Sequence, residues 1–284
     1  MSLQSTKATK NEKHAEGSDS KVLLPRVTRI PGGNHSVARA LTILIEVARS
    51  PTSLSFVDLQ KRLSFPKATL HKLLLTLEKT KFLRRNSETA KYSIGISAME
   101  LTAASRVRPG DLRSVLDSIL HNLVDEWNET CHLSVLDGGD EIVLDSLNSL
   151  HQVVRLATVI GGRQPAYVGA GGLGALALLP NDEVLARLPA KLRPFTKNTI
   201  RTRTQLLARL NEIREKGYAL HLEEAHMGVR CVGVAVAVPG WPIFALCFSL
   251  PLQRASMERL RELAKPLMAA AKEAESILRL TPRP

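Results

Sequence analysis

The stretch from Leu54 to Leu75, LSFVDLQKRLSFPKATLHKLLL, fits a helix, a sharp turn and a second helix into little more than twenty residues. Ser55 followed three residues later by Asp58 resembles a capping box, and Phe56, Leu59 and Leu63 then form an apolar stripe at helical spacing. Ser64-Phe65-Pro66 ends that helix. Pro66 has its φ preset and needs no donor, so it fits the first position of a new helix, in which Leu70, Leu73, Leu74 and Leu77 follow the i, i+3, i+4, i+7 rule. That arrangement turns Lys67, Ala68, Thr69, His71 and Lys72 outward near the helix start. Cations, a hydroxyl and an imidazole are groups that contact phosphates and base edges in a DNA groove. The same pattern would also suit a helical hairpin with a solvated face.

Charge separates these readings. The chain carries a net charge of +12, and residues 1–105 hold 17 Lys and Arg against 8 Asp and Glu. A basic N-terminal third beside a nearly neutral remainder suits a polyphosphate partner, because neutralised phosphates release counterions. The basic residues are interleaved with a core pattern, which disfavours a membrane-surface helix. Double-stranded DNA is the expected partner.

At 284 residues the chain has material for a small domain and a larger one. Residues 1–34 are polar, rich in Lys, Ser and Thr, and lack a signal-peptide core, so they read as a disordered basic tail. Cys131, Cys231 and Cys247 are widely spaced and odd in number, which fits a reducing cytoplasm and predicts no disulfide framework. The eight His show no ligand spacing, and neither metal nor cofactor is expected. Residues 231–253 are uncharged over the length of a membrane span, but Pro239-Gly240-Trp241-Pro242 divides them into two β-rich runs, a buried hairpin.

The reading along the chain starts with a helix bearing Val37, Leu41, Leu44, Ile45 and Ala48, followed by the helix-turn-helix. FLRRNSETAKYSIG reads as two short strands forming a wing, with Arg84, Arg85 and Lys91 set along the phosphate backbone or the minor groove. Residues 35–94 thus make a winged helix-turn-helix domain, 95–110 a linker helix closed by Pro109-Gly110, and 111–284 a second domain. That domain should hold a helix from Leu112 to Trp127, a hairpin of CHLSVLD and EIVLDSL, and a strand at VVRLATV. Helices near Leu173 to Leu179 and from Arg203 to Glu215 should follow, then strands YALHLEE, VRCVGVAVAV and IFALCFSL and a closing helix. The class is α+β with an antiparallel-rich sheet.

Over residues 35–280 these blocks resemble the IclR family of bacterial transcriptional regulators. SVARALTILIEVA, FPKATLHKLLLTLE and IGISAMEL resemble its DNA-binding domain; IGGRQPAYVGAGGLGALALL and EIREKGYALHLEEAHMGVRCVGVAV with PIFALCFSLP resemble its ligand-sensing domain. The resemblance implies a GAF/profilin-like effector domain that binds a small organic acid, and a homodimer or homotetramer controlling a catabolic operon. Its effector-contacting positions fall on Ala170, Gly171, His221, Val229, Cys231, Cys247 and Ser249. Tyr167 stands where the family usually has His, and His221 where it frequently has an acid; an imidazole there favours a carboxylate ligand.

Two readings from other classes stay in play. Gly169-x-Gly171-x-x-Gly174 matches the dinucleotide fingerprint of an NAD-dependent enzyme, although the ribose-binding acid is missing about 20 residues on. A non-regulatory DNA-binding protein would rest on charge alone. No hydrolase motif is present, and no catalysis is expected.

Overall fold

The computed structural model describes residues 33–106, 111–149, 152, 156 and 158–281, with side chains through residue 104 in the first segment. The sequence's basic tail and the linker's Pro109-Gly110 end fall almost wholly outside these residues.

The N-terminal part packs α1 (His35–Arg49), α2 (Phe56–Leu63) and α3 (Lys67–Lys79) against a hairpin of β1 (Leu83–Arg85) and β2 (Tyr92–Ile94). Asn34 caps α1 by accepting from the Ser36 and Val37 amides. Of the expected apolar stripe of α1, only Leu44 packs against the core. Ile43 and Val47 enter the core, while Val37, Leu41 and Ile45 are 55%, 54% and 41% exposed. Both sets follow helical spacing, so periodicity alone could not choose between them. The Ser55 capping box is present: its Oγ accepts from the Asp58 amide, and Asp58 accepts from the Ser55 amide. Ser64 makes the turn with a left-handed φ of 55°, and Pro66 sits one position earlier than expected, as the cap of α3. Leu70, Leu74 and Leu77 of α3 join Leu59, Phe65 and Leu83 in one core. The linker helix is α4 (Ile96–Arg106).

The second part is built on a six-stranded antiparallel sheet ordered β5-β4-β3-β8-β7-β6. Its strands are β3 (Thr130–Asp137), β4 (Asp140–Leu147), β5 (Arg163–Pro165), β6 (Ala219–Leu222), β7 (Val229–Val236) and β8 (Phe244–Pro251). One face is covered by α5 (Leu112–Trp127) and α9 (Met257–Leu280), packed on Leu133, Val232, Val234, Phe244, Leu246 and Phe248. The other is covered by α6 (Ala170–Ala177), with α7 (Asn181–Arg187) and α8 (Arg203–Lys216) behind it in a second core. Gly217 ends α8 with φ 78°, as its position predicts. The expected strand at 153–159 lies largely outside the described residues. Neither the short edge strand β5 nor α7 was anticipated.

Both faces of the sheet are therefore buried, and period-2 alternation assigns each side chain to one core. On β8, Phe244, Leu246, Phe248 and Leu250 point to α5 and α9, which sends Ala245, Cys247 and Ser249 toward α6. Close approach of α6 to β7 explains the glycine-rich run: a Cβ on Gly174 would lie 3.2 Å from the Ala235 Cβ, and one on Gly233 would lie 3.1 Å from the Ala170 carbonyl carbon. The dinucleotide reading fails on topology as well, because β5 before α6 and β6 after it stand at opposite edges of an antiparallel sheet.

Candidate functional site

On the first part, Lys67, Ala68, His71 and Lys72 are exposed and Thr69 is half-buried, so α3 presents these five residues on its outer side. Arg84, Arg85 and Lys91 are exposed on the hairpin. Its turn is fixed by Asn86, whose Oδ1 accepts from the Glu88 amide at 2.9 Å and the Thr89 amide at 2.8 Å. The Arg85 guanidinium lies 5.9 Å from the centre of the Tyr92 ring, which restrains a long side chain that would otherwise sweep freely. His71 of α3 and Arg85 of the hairpin border one shallow depression, together with Ser55, Thr89 and Tyr92. α3 and the hairpin thus meet along one depression, whose lining also includes the apolar Phe56, Val57 and Ala90.

The second site lies between α6 and the sheet. Cys231 Sγ is 3.2 Å from Ser249 Oγ, which is 3.4 Å from His132 Nδ1. His221 faces Cys231 across the β6–β7 register. At the start of α6, a Cβ on Gly171 would lie 3.0 Å from Cys247 Sγ. Gly171, Cys231, Cys247 and Ser249 therefore meet, with Ala170 alongside and His221 next to Cys231. Val229 stands apart: it is half-buried at the start of β7, opposite Pro251.

Sequence reasoning missed four members: His132, Ser134, Glu141 and Gln164. Glu141 is 2% exposed and faces the start of α6, where a Cβ on Gly169 or Gly171 would strike its carboxylate oxygens. Ser134 Oγ donates to its Oε1 at 2.8 Å and Gln164 Nε2 to its Oε2 at 3.0 Å. The start of α6 thus already faces a carboxylate of the chain itself. Only knowledge that both faces of the sheet are covered turns the inward His132-x-Ser134 pattern from a solvated face into a site.

Burial sets the charge states. The His221 pKa is pushed down to about 3, chiefly by desolvation, with His226 and His132 adding to it. Near neutral pH His221 is therefore uncharged, and it can offer a carboxylate a hydrogen bond but no ion pair. Its Nε2 accepts from the Ala225 amide at 2.9 Å, so the proton resides on Nδ1, a buried donor without a partner. His132 is likewise lowered by burial, opposed by Glu141. Burial pushes the Cys231 thiol up to about 12 and Cys247 well above its ordinary value. Neither thiol is a ready nucleophile. Tyr167 is structural, accepting from the Arg193 amide at 2.9 Å and donating to its carbonyl at 3.0 Å. Arg230 approaches Glu223 at 3.8 Å, as a structural ion pair.

Residues 36–87 match the IclR helix-turn-helix domain, and residues 104–276 match the bacterial transcriptional regulator IclR C-terminal domain. The chain belongs to the IclR family. It is 30% identical over 255 residues to the transcriptional repressor IclR of Escherichia coli K12, covering 88% of this chain and 92% of that one. It is 34% identical over 207 residues to the regulator XynR of the same organism, covering 72% and 80%. An IclR homologue from Microbacterium hydrocarbonoxydans, solved in complex with 4-hydroxybenzoate, superposes with a TM-score of 0.70 at 25% identity, covering 87% of this chain and all of that one. The chain is accordingly a DNA-binding transcriptional regulator of the IclR type, with a winged helix-turn-helix followed by an effector domain. Among the described residues, no helix is long and apolar enough to cross a membrane.

Proposed function

We propose that this IclR-family regulator is a cytoplasmic repressor of a catabolic operon, released or engaged by a small carboxylic acid bound between α6 and the sheet. Lys67, Ala68, Thr69, His71 and Lys72 read the operator, and Arg84, Arg85 and Lys91 hold its backbone. Ala170, Gly171, His221, Cys231, Cys247 and Ser249, with Val229 at the rim, contact the effector. The observation that carries this reading is the buried Nδ1–H of His221, an unsatisfied donor beside a cluster of uncharged small polar groups. A buried donor without an acceptor is costly, and a ligand carboxylate oxygen would satisfy it. The relative that binds 4-hydroxybenzoate supports aromatic acids as the first candidates. We read the chain as a regulator with no reaction of its own, a reading supported by thiols that burial holds protonated and so poorly nucleophilic.

The protein works as a homodimer or homotetramer, so that paired recognition helices meet paired half-sites. Its units are residues 35–94, 95–110 and 111–284. Calorimetry with a panel of aliphatic and aromatic acids, beginning with 4-hydroxybenzoate, tests the effector, and a gel shift on the DNA upstream of its own gene tests the response. We expect at least one acid to bind the parent protein and change its affinity for that DNA. If no acid in the panel does both, the effector reading fails.

A further inference from the structure

We propose that Arg26 and Arg29, on the chain just before α1, bind the minor groove of DNA beside the major-groove site read by α3. Positive charge gathers at that end of the basic tail. Residues 1–19 hold three Lys against three Asp and Glu, whereas residues 20–45 hold Lys21, Arg26, Arg29 and Arg39 and no acid. An acid-free basic run has no carboxylate for the phosphates to repel, and this one is joined directly to the helix-turn-helix.

Geometry places the point of attachment at the DNA face. Asn34, which caps α1, is exposed, as are His35 and Ser36 after it. One turn further on, the Arg39 guanidinium lies 5.7 Å from the centre of the Phe65 ring. Phe65 is buried in the turn that leads through Pro66 into α3, whose first residues are Lys67, Ala68 and Thr69. The start of α1 is thus held beside the start of the base-reading helix, and the chain preceding Asn34 departs from there. Reach then decides which groove it meets. Arg29 precedes Asn34 by five residues, an extended span of about 17 Å. Half of a DNA turn of about 34 Å, the step from the major groove under α3 to the next minor groove, has the same length. Arg26 comes three residues earlier and reaches about 10 Å further along that groove. Side-chain chemistry agrees, because both cations are Arg, and the weakly hydrated guanidinium is the group drawn into the narrow, strongly negative minor groove of A·T-rich DNA. This site lies outside the winged helix-turn-helix but rests on base reading by α3.

The test is selection of duplexes from a random pool by the full-length protein, followed by hydroxyl-radical footprinting, which probes the minor groove, on the selected DNA. The parent should select an A·T-rich flank beside the element read by α3 and protect it. Arg26→Ala/Arg29→Ala should bind about 10-fold more weakly, lose protection of the flank and lower the salt slope by about two, while keeping the footprint of α3. Replacing the flank's A·T pairs by G·C should weaken the parent about 10-fold and leave the double variant unchanged, because guanine adds an amino group to the minor groove. Inosine·C pairs, which lack that amino group, should restore the parent's affinity. A flank footprint that survives the double alanine change overturns the site. So does a change confined to the salt slope, or to melting and association state, which would make the tail a source of bulk charge or of self-association. If the parent selects no sequence at all, base reading by α3 fails along with the arm. If it selects a core element without the flank, only the minor-groove site fails.

Discussion

His221 shows how a single buried side chain ties the effector domain's stability to pH. Its pKa falls from an ordinary 6.5 to about 3 in the folded protein. Between those values the unfolded chain binds a proton that the native one refuses. Stability therefore rises with pH across that window and is lost as pH falls from 6.5 toward 3, by up to about 1.4 kcal/mol per unit. From pH 7 to pH 5 this single group should account for about 2 kcal/mol. His221→Gln keeps an acceptor for the Ala225 amide and removes the titration. Urea melts of parent and variant at pH 7 and pH 5 should diverge by that amount, and parallel pH dependence would show that His221 is not the buried neutral group described above. His132, lowered for the same reason, adds a slope common to both proteins.

Elements carry the specificity. Removing a base contact from α3 by Thr69→Ala or His71→Ala should cost roughly 1 to 3 kcal/mol of discrimination between operator and random DNA. Arg85→Ala on the wing should weaken both DNAs alike and reduce the salt slope by about one. Salt-dependent anisotropy on the two DNAs checks this, and equal losses for all three variants would remove base reading from α3. On α6, two adjacent glycines should respond differently to Ala. At Gly171 the new Cβ meets side-chain atoms of Glu141 and Ser134 at 2.2 and 2.4 Å, so the site is disturbed and acid binding fails. At Gly172 it meets the Ala166 carbonyl oxygen at 2.4 Å, which is backbone, so the melt itself should fall by about 1 to 3 kcal/mol. The helix-turn-helix, α5, α8, α9 and the β7–β8 hairpin were legible in the sequence because caps, turn residues and periodicity agree there. Edge strand β5 has three residues and α7 seven, too few for a period to register. Glu141 escaped notice because a lone acid in a strand normally means solvent, and only the covering α6 makes it a site residue.

At the scale of the whole molecule, charge and core divide at the same place. Residues 1–105 carry most of the net positive charge, and the core of the N-terminal part shares no residue with the two cores of the effector part. A unit with its own cores and a six-stranded sheet has what independent folding requires. Residues 110–284 expressed alone should therefore fold, melt cooperatively and bind the same acid as the full chain, while losing DNA affinity. DNA affinity should fall to the level of a neutral protein, because the fragment sheds the basic third along with α3 and the wing. Calorimetry and a gel shift on the fragment decide the matter: an insoluble fragment, or one that still retards operator DNA, would mean that the two parts share stability or DNA contacts across the linker.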